Sequence, residues 1–161
     1  MAFKIEKPFW QALGLGTLAG MRSAAAPAIT SHILSHHQSA NLEHTPLSFM
    51  QSEKVANALK LLAVTELVGD KMPAAPNRIK PSALTVRAIS GAIAGASIYK
   101  ASGGKAVIGA LLGGGAAIAS TFASFYLRKS VVKNSKLIDP IIGGIEDALV
   151  VGSGYGLVRA A

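Results

Sequence analysis

The 161-residue chain has no cysteine, few charges and few aromatic side chains. The missing cysteine excludes disulfides, thiol nucleophiles and thiolate metal sites, and it leaves the compartment open. Charged residues make up 15% of the chain, against about 25% in ordinary soluble domains, while 50% is apolar and the mean hydropathy is +0.42. That balance points to a membrane protein. With aromatics at 6%, the apolar content is mostly Ala, Gly, Leu, Ile and Val. A soluble core of such residues would be poorly filled, whereas in lipid small residues let helices approach closely. Acidic residues are scarcer than basic ones, 8 against 16, for a net charge of +8. In a soluble protein this would suggest nucleic acid. Here the cations fall mostly between apolar segments, where they set topology and meet anionic lipid, so no nucleic-acid partner is expected.

About 20 residues cross a bilayer as a helix. Five segments approach that length: roughly Pro8 to Leu34, Val55 to Gly69, Ala83 to Tyr99, Lys105 to Leu127 and Leu137 to Val158. The breaks between them, "SHHQSANLEHTP", "DKMPAAPNRIKP", "KASGGK" and "RKSVVKNSK", carry the proline, glycine and polar residues that end helices. The expected fold is therefore all-α, a polytopic transmembrane helical bundle of about five segments forming one domain over residues 1–161. The second segment is the weakest, because Lys54, Asn57 and Lys60 share one face and suit an interfacial half. The amino terminus has the basic start and apolar run of a signal peptide. Cleavage near Ala24 to Ala26 would leave Arg22 inside the apolar region, so an uncleaved first span is expected.

With the amino terminus inside, Lys4, Lys7, Lys71, Arg78, Lys80, Arg128, Lys129, Lys133 and Lys136 fall on the cytoplasmic side. Lys54, Lys100, Lys105 and Arg159 fall on the other, a bias that fits the positive-inside rule. GxxxG spacing recurs at Gly16 and Gly20, Gly91 and Gly95, Gly109 and Gly113, and Gly152 and Gly156. Glycines four apart line one face, which suits either a tightly packed bundle or a homodimer. The second and fifth segments share an acidic apolar pattern, "AVTELVGD" and "GGIEDALVVG", and follow Gly/Ala-rich segments. That is compatible with an inverted repeat of segments one and two in four and five.

The candidates for chemistry are the ionisable residues where charge is costly: Arg22, Glu66, Asp70, Arg87, Glu146 and Asp147, with Asp139 at the entry of the last segment. Glu66 and Asp70 are four apart and share a helical face. Two readings stand side by side: buried ion pairs that fix helix register, or charges lining a polar path. Arg22 in particular requires a carboxylate on another helix, from among Glu66, Asp70, Glu146 and Asp147. Pro27 removes the donor for the carbonyl of Ser23, so "MRSAAAP" is expected to kink or unwind. In the third stretch, Lys71, Arg78 and Lys80 among prolines suit a cytoplasmic anion or lipid contact, or a plain positive-inside anchor.

Other patterns carry less. His32, His36 and His37 have spacings of four and five but no fixed carboxylate partner, so no metal is expected. The glycines at 113–115 lack the Lys-Ser/Thr of a phosphate loop, and "GSGYG" at 152–156 lacks the context of an ion filter. No cofactor and no enzymatic constellation is implied.

The stretches "GLGTLAGMRSAAAPA", "TELVGDKMPAAPNRIKPSALTVRAISGAIAGA" and "DPIIGGIEDALVV" together resemble a bacterial family of small glycine-rich membrane proteins classed as a domain of unknown function. The resemblance spans most of the chain. It implies an integral membrane protein and marks Arg22, Glu66, Asp70, Lys71, Arg78 and Arg87 as motif positions without roles. The functional expectation is a transporter or channel for a small or lipid-like polar or anionic solute, in the bacterial inner membrane with its amino terminus cytoplasmic. Its partners would be the lipid bilayer and a second copy of the chain, with a dimer favoured. The alternative is a non-transporting membrane scaffold or a lipid- or pigment-binding protein.

Overall fold

A computed structural model describes residues 7–69, 79–134 and 139–159. Six α-helices follow in order: α1 (Pro8–Met21), α2 (Ala25–His36), α3 (Glu53–Gly69), α4 (Pro81–Ala101), α5 (Ala106–Asn134) and α6 (Asp139–Arg159). Two short 3-10 turns, Ala40–Leu42 and Pro46–Gln51, join α2 to α3, and no strand occurs among the described residues. Proline opens α1 and α4, where its fixed φ suits the first turn and its missing N–H costs no intrahelical bond.

The expected segments reappear with one division. Pro8 to Leu34 is two helices, because the chain leaves helical geometry at Arg22, where φ is −141° and ψ is 112°. Length and composition then qualify one described helix to cross a membrane, Ala106–Ser130 within α5, with mean hydropathy 1.7 and 28% of its apolar window buried. Of the expected bundle of about five segments, the all-helical class is borne out, with one helix of spanning length and composition among the described residues. The halves of the first segment are 14 and 12 residues long. α3 has 17 residues and carries Lys54, Lys60 and Glu66. α4 and α6 reach 21 residues but dilute their apolar content with Gly, Ser and charge.

α1, α4 and α5 form the tight centre. A Cβ on Gly91 or Gly95 would collide with the backbone of Gly113 or Gly109, and one on Gly16 or Gly20 with the α5 backbone at Gly113 or Ala117. These glycines are therefore used within the chain. Gly152 and Gly156 on α6 face nothing within 4 Å among the described residues. α2 packs on α3 and α4, and α6 rests on α1 and α2. Buried residues include Leu15, Ala19, Leu34, Ala94, Ile98 and Ala117, with Leu42 and Met50 from the 3-10 turns. Those turns are docked by Ser39 Oγ donating to the Ala101 carbonyl at 2.7 Å and Ser31 Oγ to the Met50 carbonyl at 2.8 Å. Large apolar side chains point outward instead, among them Trp10, Leu61, Ile89, Leu111 and Leu149.

Candidate functional site

The helix break at Arg22–Ala24 gathers side chains from four other helices. Helix ends leave backbone groups without partners, and those at a break within a packed bundle must be met by side chains. On the α1 side, the Gly20 carbonyl accepts from Arg87 Nη1 at 2.8 Å and from Thr121 Oγ1 at 3.1 Å. The Thr17 carbonyl accepts from Ser120 Oγ at 2.9 Å. The Ser23 carbonyl, deprived of a donor by Pro27, accepts from Ser90 Oγ. Arg87 and Ser90 are three apart on α4, as Gly20 and Ser23 are in the break, so one face of α4 serves both carbonyls.

The α2 side is capped by Glu66. Its Oε1 accepts from the Ser23 amide at 2.9 Å and Ser23 Oγ at 2.7 Å, and its Oε2 accepts from the Ala24 amide at 2.7 Å. A carboxylate at a helix amino terminus meets unsatisfied N–H donors and the positive end of the helix dipole. α2 has no cap from its own Ala24, so α3 supplies it. Pro27 stands as the third residue of α2, within the first turn. It starts a helix rather than kinking one, because a missing N–H there breaks no intrahelical bond.

Arg22 is 3% exposed and pairs with Asp147 of α6, whose Oδ1 accepts from Nε at 3.0 Å and also from Nη2. The expected carboxylate partner from another helix is therefore Asp147, while Glu66 serves the backbone of the same break. The two similar acidic stretches on α3 and α6 each deliver one carboxylate here. Their preceding segments differ, since α5 runs unbroken where the first segment divides. Arg87 is buried at 6% exposure and reaches the break through Gly20. Lys80 is exposed just before α4 and is not brought to this cluster. Asp70, Lys71 and Arg78 lie outside the described residues, and so does the side chain of Glu146 on α6.

Two clefts meet at Glu66. One, of about 290 Å³, lies between α2, α3 and α6 and is bordered by Arg22, Lys60 and Glu66 with apolar walls. The other, of about 580 Å³, lies between α2, α3 and α4 and is bordered by Ser23, Pro27, Glu66 and Ser90. Sequence reasoning named Ser23 only for its carbonyl, missed Ser90, Ser120 and Thr121, and treated Lys60 only as an interfacial residue. Nothing marks such hydroxyls singly. The spacing of Arg87 and Ser90 on one face was the available signal. No group of three or more metal-ligating side chains occurs among the described residues, and His32 and His36 instead stack edge to face at 4.4 Å.

The family model called Domain of unknown function (DUF4126) matches residues 10–158, nearly the whole chain and every element of the break. The chain belongs to the DUF4126 family. No curated protein and no solved structure matches it significantly. The family assignment covers Arg22, Glu66, Arg87 and Asp147 alike, and it brings no activity to this DUF4126 chain.

Proposed function

We propose that this DUF4126 protein is a polytopic inner-membrane bundle that moves a small polar or anionic solute past the break at Arg22–Ala24. One observation carries the reading: Arg22, buried at an unwound turn, borders a cleft between α2, α3 and α6. Irregular backbone at membrane depth is tolerated when protein buries it or when it lines a cavity, and intramembrane charges commonly mark solute paths. The outward Leu, Ile, Val and aromatic side chains on α1, α3, α4, α5 and α6 support lipid around the whole bundle. The positive-inside bias supports a cytoplasmic amino terminus. Gly152 and Gly156, the GxxxG pair left uncovered, support a homodimer through α6.

The test is flux of small anions into proteoliposomes by the parent and by the double variant Arg22→Gln with Asp147→Asn. The pair is removed together so that no buried charge is stranded. The expected result is retained assembly with lost flux. Undiminished flux in an intact double variant would make the pair a structural staple. The apolar walls of both clefts favour a second reading, a lipid- or pigment-binding protein that transports nothing. Mass spectrometry of the purified protein would then find a retained ligand while flux stays at background.

A further inference from the structure

The cleft between α2, α3 and α6 has unequal ends. At the inner end stand Glu66 and Arg22, and both are already compensated: Glu66 by three donors at the start of α2, Arg22 by Asp147. At the outer end stand Lys60, six residues before Glu66 on α3, and Tyr155, eight residues after Asp147 on α6. Those spacings correspond to about 9 and 12 Å along the two helices, so both residues lie well away from the break. The Tyr155 ring carries the Arg159 guanidinium 4.7 Å from its centroid. Neither Lys60 nor Arg159 forms an ion pair with a carboxylate among the described residues. Between the ends, the walls are Ala28, Ile29, Ala63, Val64 and Val151.

We infer that this cleft binds a single-chain anionic amphiphile, its head at Lys60 with Arg159 beside Tyr155 and its chain directed inward toward the break. The charge pattern selects an amphiphile charged at one end, because the inner end is already compensated while Lys60 lines the outer end and Arg159 stands over the ring of Tyr155 beside it. The walls select an apolar chain, since a polar solute there would lose its hydration without replacement hydrogen bonds. The cleft volume sets the scale of a suitable probe. At about 30 Å³ per heavy atom, as in liquid water, 290 Å³ holds about ten heavy atoms, the size of octanoate. The inference rests on the proposed function in taking this cleft as the approach to the break, and it names the class of solute.

The experiment is photo-crosslinking of the purified protein, in nonionic detergent, with an octanoate analogue bearing a terminal diazirine. Labelled peptides are then mapped by mass spectrometry. Labels are expected on α2, α3 and α6 around Ile29, Val64 and Val151, competed by octanoate but not by acetate or octyltrimethylammonium. Lys60→Gln or Arg159→Gln should weaken competition by about tenfold, the scale of one charge-assisted contact. Ala63→Phe should abolish it by filling the cleft, with the Lys60 and Arg159 variants carrying the test if Ala63→Phe does not fold. Labels spread evenly over the outward face of α5, or unaffected by these substitutions, would overturn the inference. The two readings fail separately: octanoate held in the cleft without flux removes transport alone, and anion flux without octanoate in the cleft removes the amphiphile alone.

Discussion

Replacing Glu66 with glutamine is the most direct probe of the break, because the side chain keeps its size and loses only its charge and one acceptor. In the parent, two carboxylate oxygens take three donors from Ser23 and Ala24. The single amide oxygen of glutamine can serve the Ser23 amide and hydroxyl. Its NH2 then faces the Ala24 amide, donor against donor. Leaving one buried N–H unsatisfied costs about 1–3 kcal/mol, and losing the negative charge at the start of α2 costs about 0.3–2 kcal/mol more. The sum, about 1.3–5 kcal/mol, corresponds to a melting temperature lower by about 3–20 °C in a protein of this size. Thermal melts in detergent measure the loss. Hydrogen exchange locates it, with the Ser23 and Ala24 amides expected to exchange faster while α4 and α5 stay protected. Thr65→Ala, at an exposed neighbour, should change stability by less than about 0.5 kcal/mol. An E66Q protein that melts within about 1 °C of the parent, with both amides still protected, would refute the account of Glu66 as the cap of α2.

Asp147→Asn alone should destabilise by about 3 kcal/mol, the scale for breaking a buried ion pair from one side, and Arg22→Met with Asp147→Leu should recover much of the loss. Chemical melts of the parent, Asp147→Asn and the double variant check this, and a double variant no more stable than Asp147→Asn would deny it. Gly91→Ala should cost about 1–3 kcal/mol because its Cβ meets the Gly113 carbonyl, whereas Gly156→Ala should be neutral in the monomer. Single-cysteine labelling is clean in a chain without cysteine. Lys105→Cys and Lys129→Cys stand at exposed positions about 36 Å apart along α5, so an impermeant maleimide should reach the first from outside and the second only after permeabilisation. Labelling of both from one side would deny that α5 spans.

What the sequence made legible were features with a local period or a local cost. Helix bounds came within two residues where Pro and Gly punctuate them, as with Val55 expected against Glu53 observed for α3 and Tyr99 against Ala101 for α4, whereas α5 runs seven residues past the expected Leu127 to Asn134. The break near "MRSAAAP" was legible because proline removes a donor at a known offset. Its form was not, since whether a chain kinks or restarts depends on side chains that arrive from Glu66, Ser90 and Arg87. The need of Arg22 for a distant carboxylate followed from its cost in a low-dielectric interior, but spacing could not choose Asp147 over Glu66. Their separation in sequence, 125 and 43 residues from the break, holds no angular information about the bundle.

The two carboxylates differ in what they hold, and that difference bears on how the break can move. Glu66 bonds backbone, so it ties α3 to the start of α2 and keeps the unwound turn ordered. Asp147 bonds a side chain, and α6 otherwise rests on α1 and α2 with its Ile145 and Leu149 turned outward. A shift of α6 therefore removes the Asp147 contact from Arg22 while leaving the α2 cap intact. A shift of α3 undoes the cap while leaving the ion pair intact. Of the two, the α6 shift widens the cleft that Arg22 borders without melting a helix end, and an incoming anion would offset the lost Asp147 contact. On this physical ground, if the protein transports, α6 is the element expected to move. A crosslink between Ile29 and Gly154, both replaced by cysteine, should then stop flux while a matched crosslink from α4 to α5 does not.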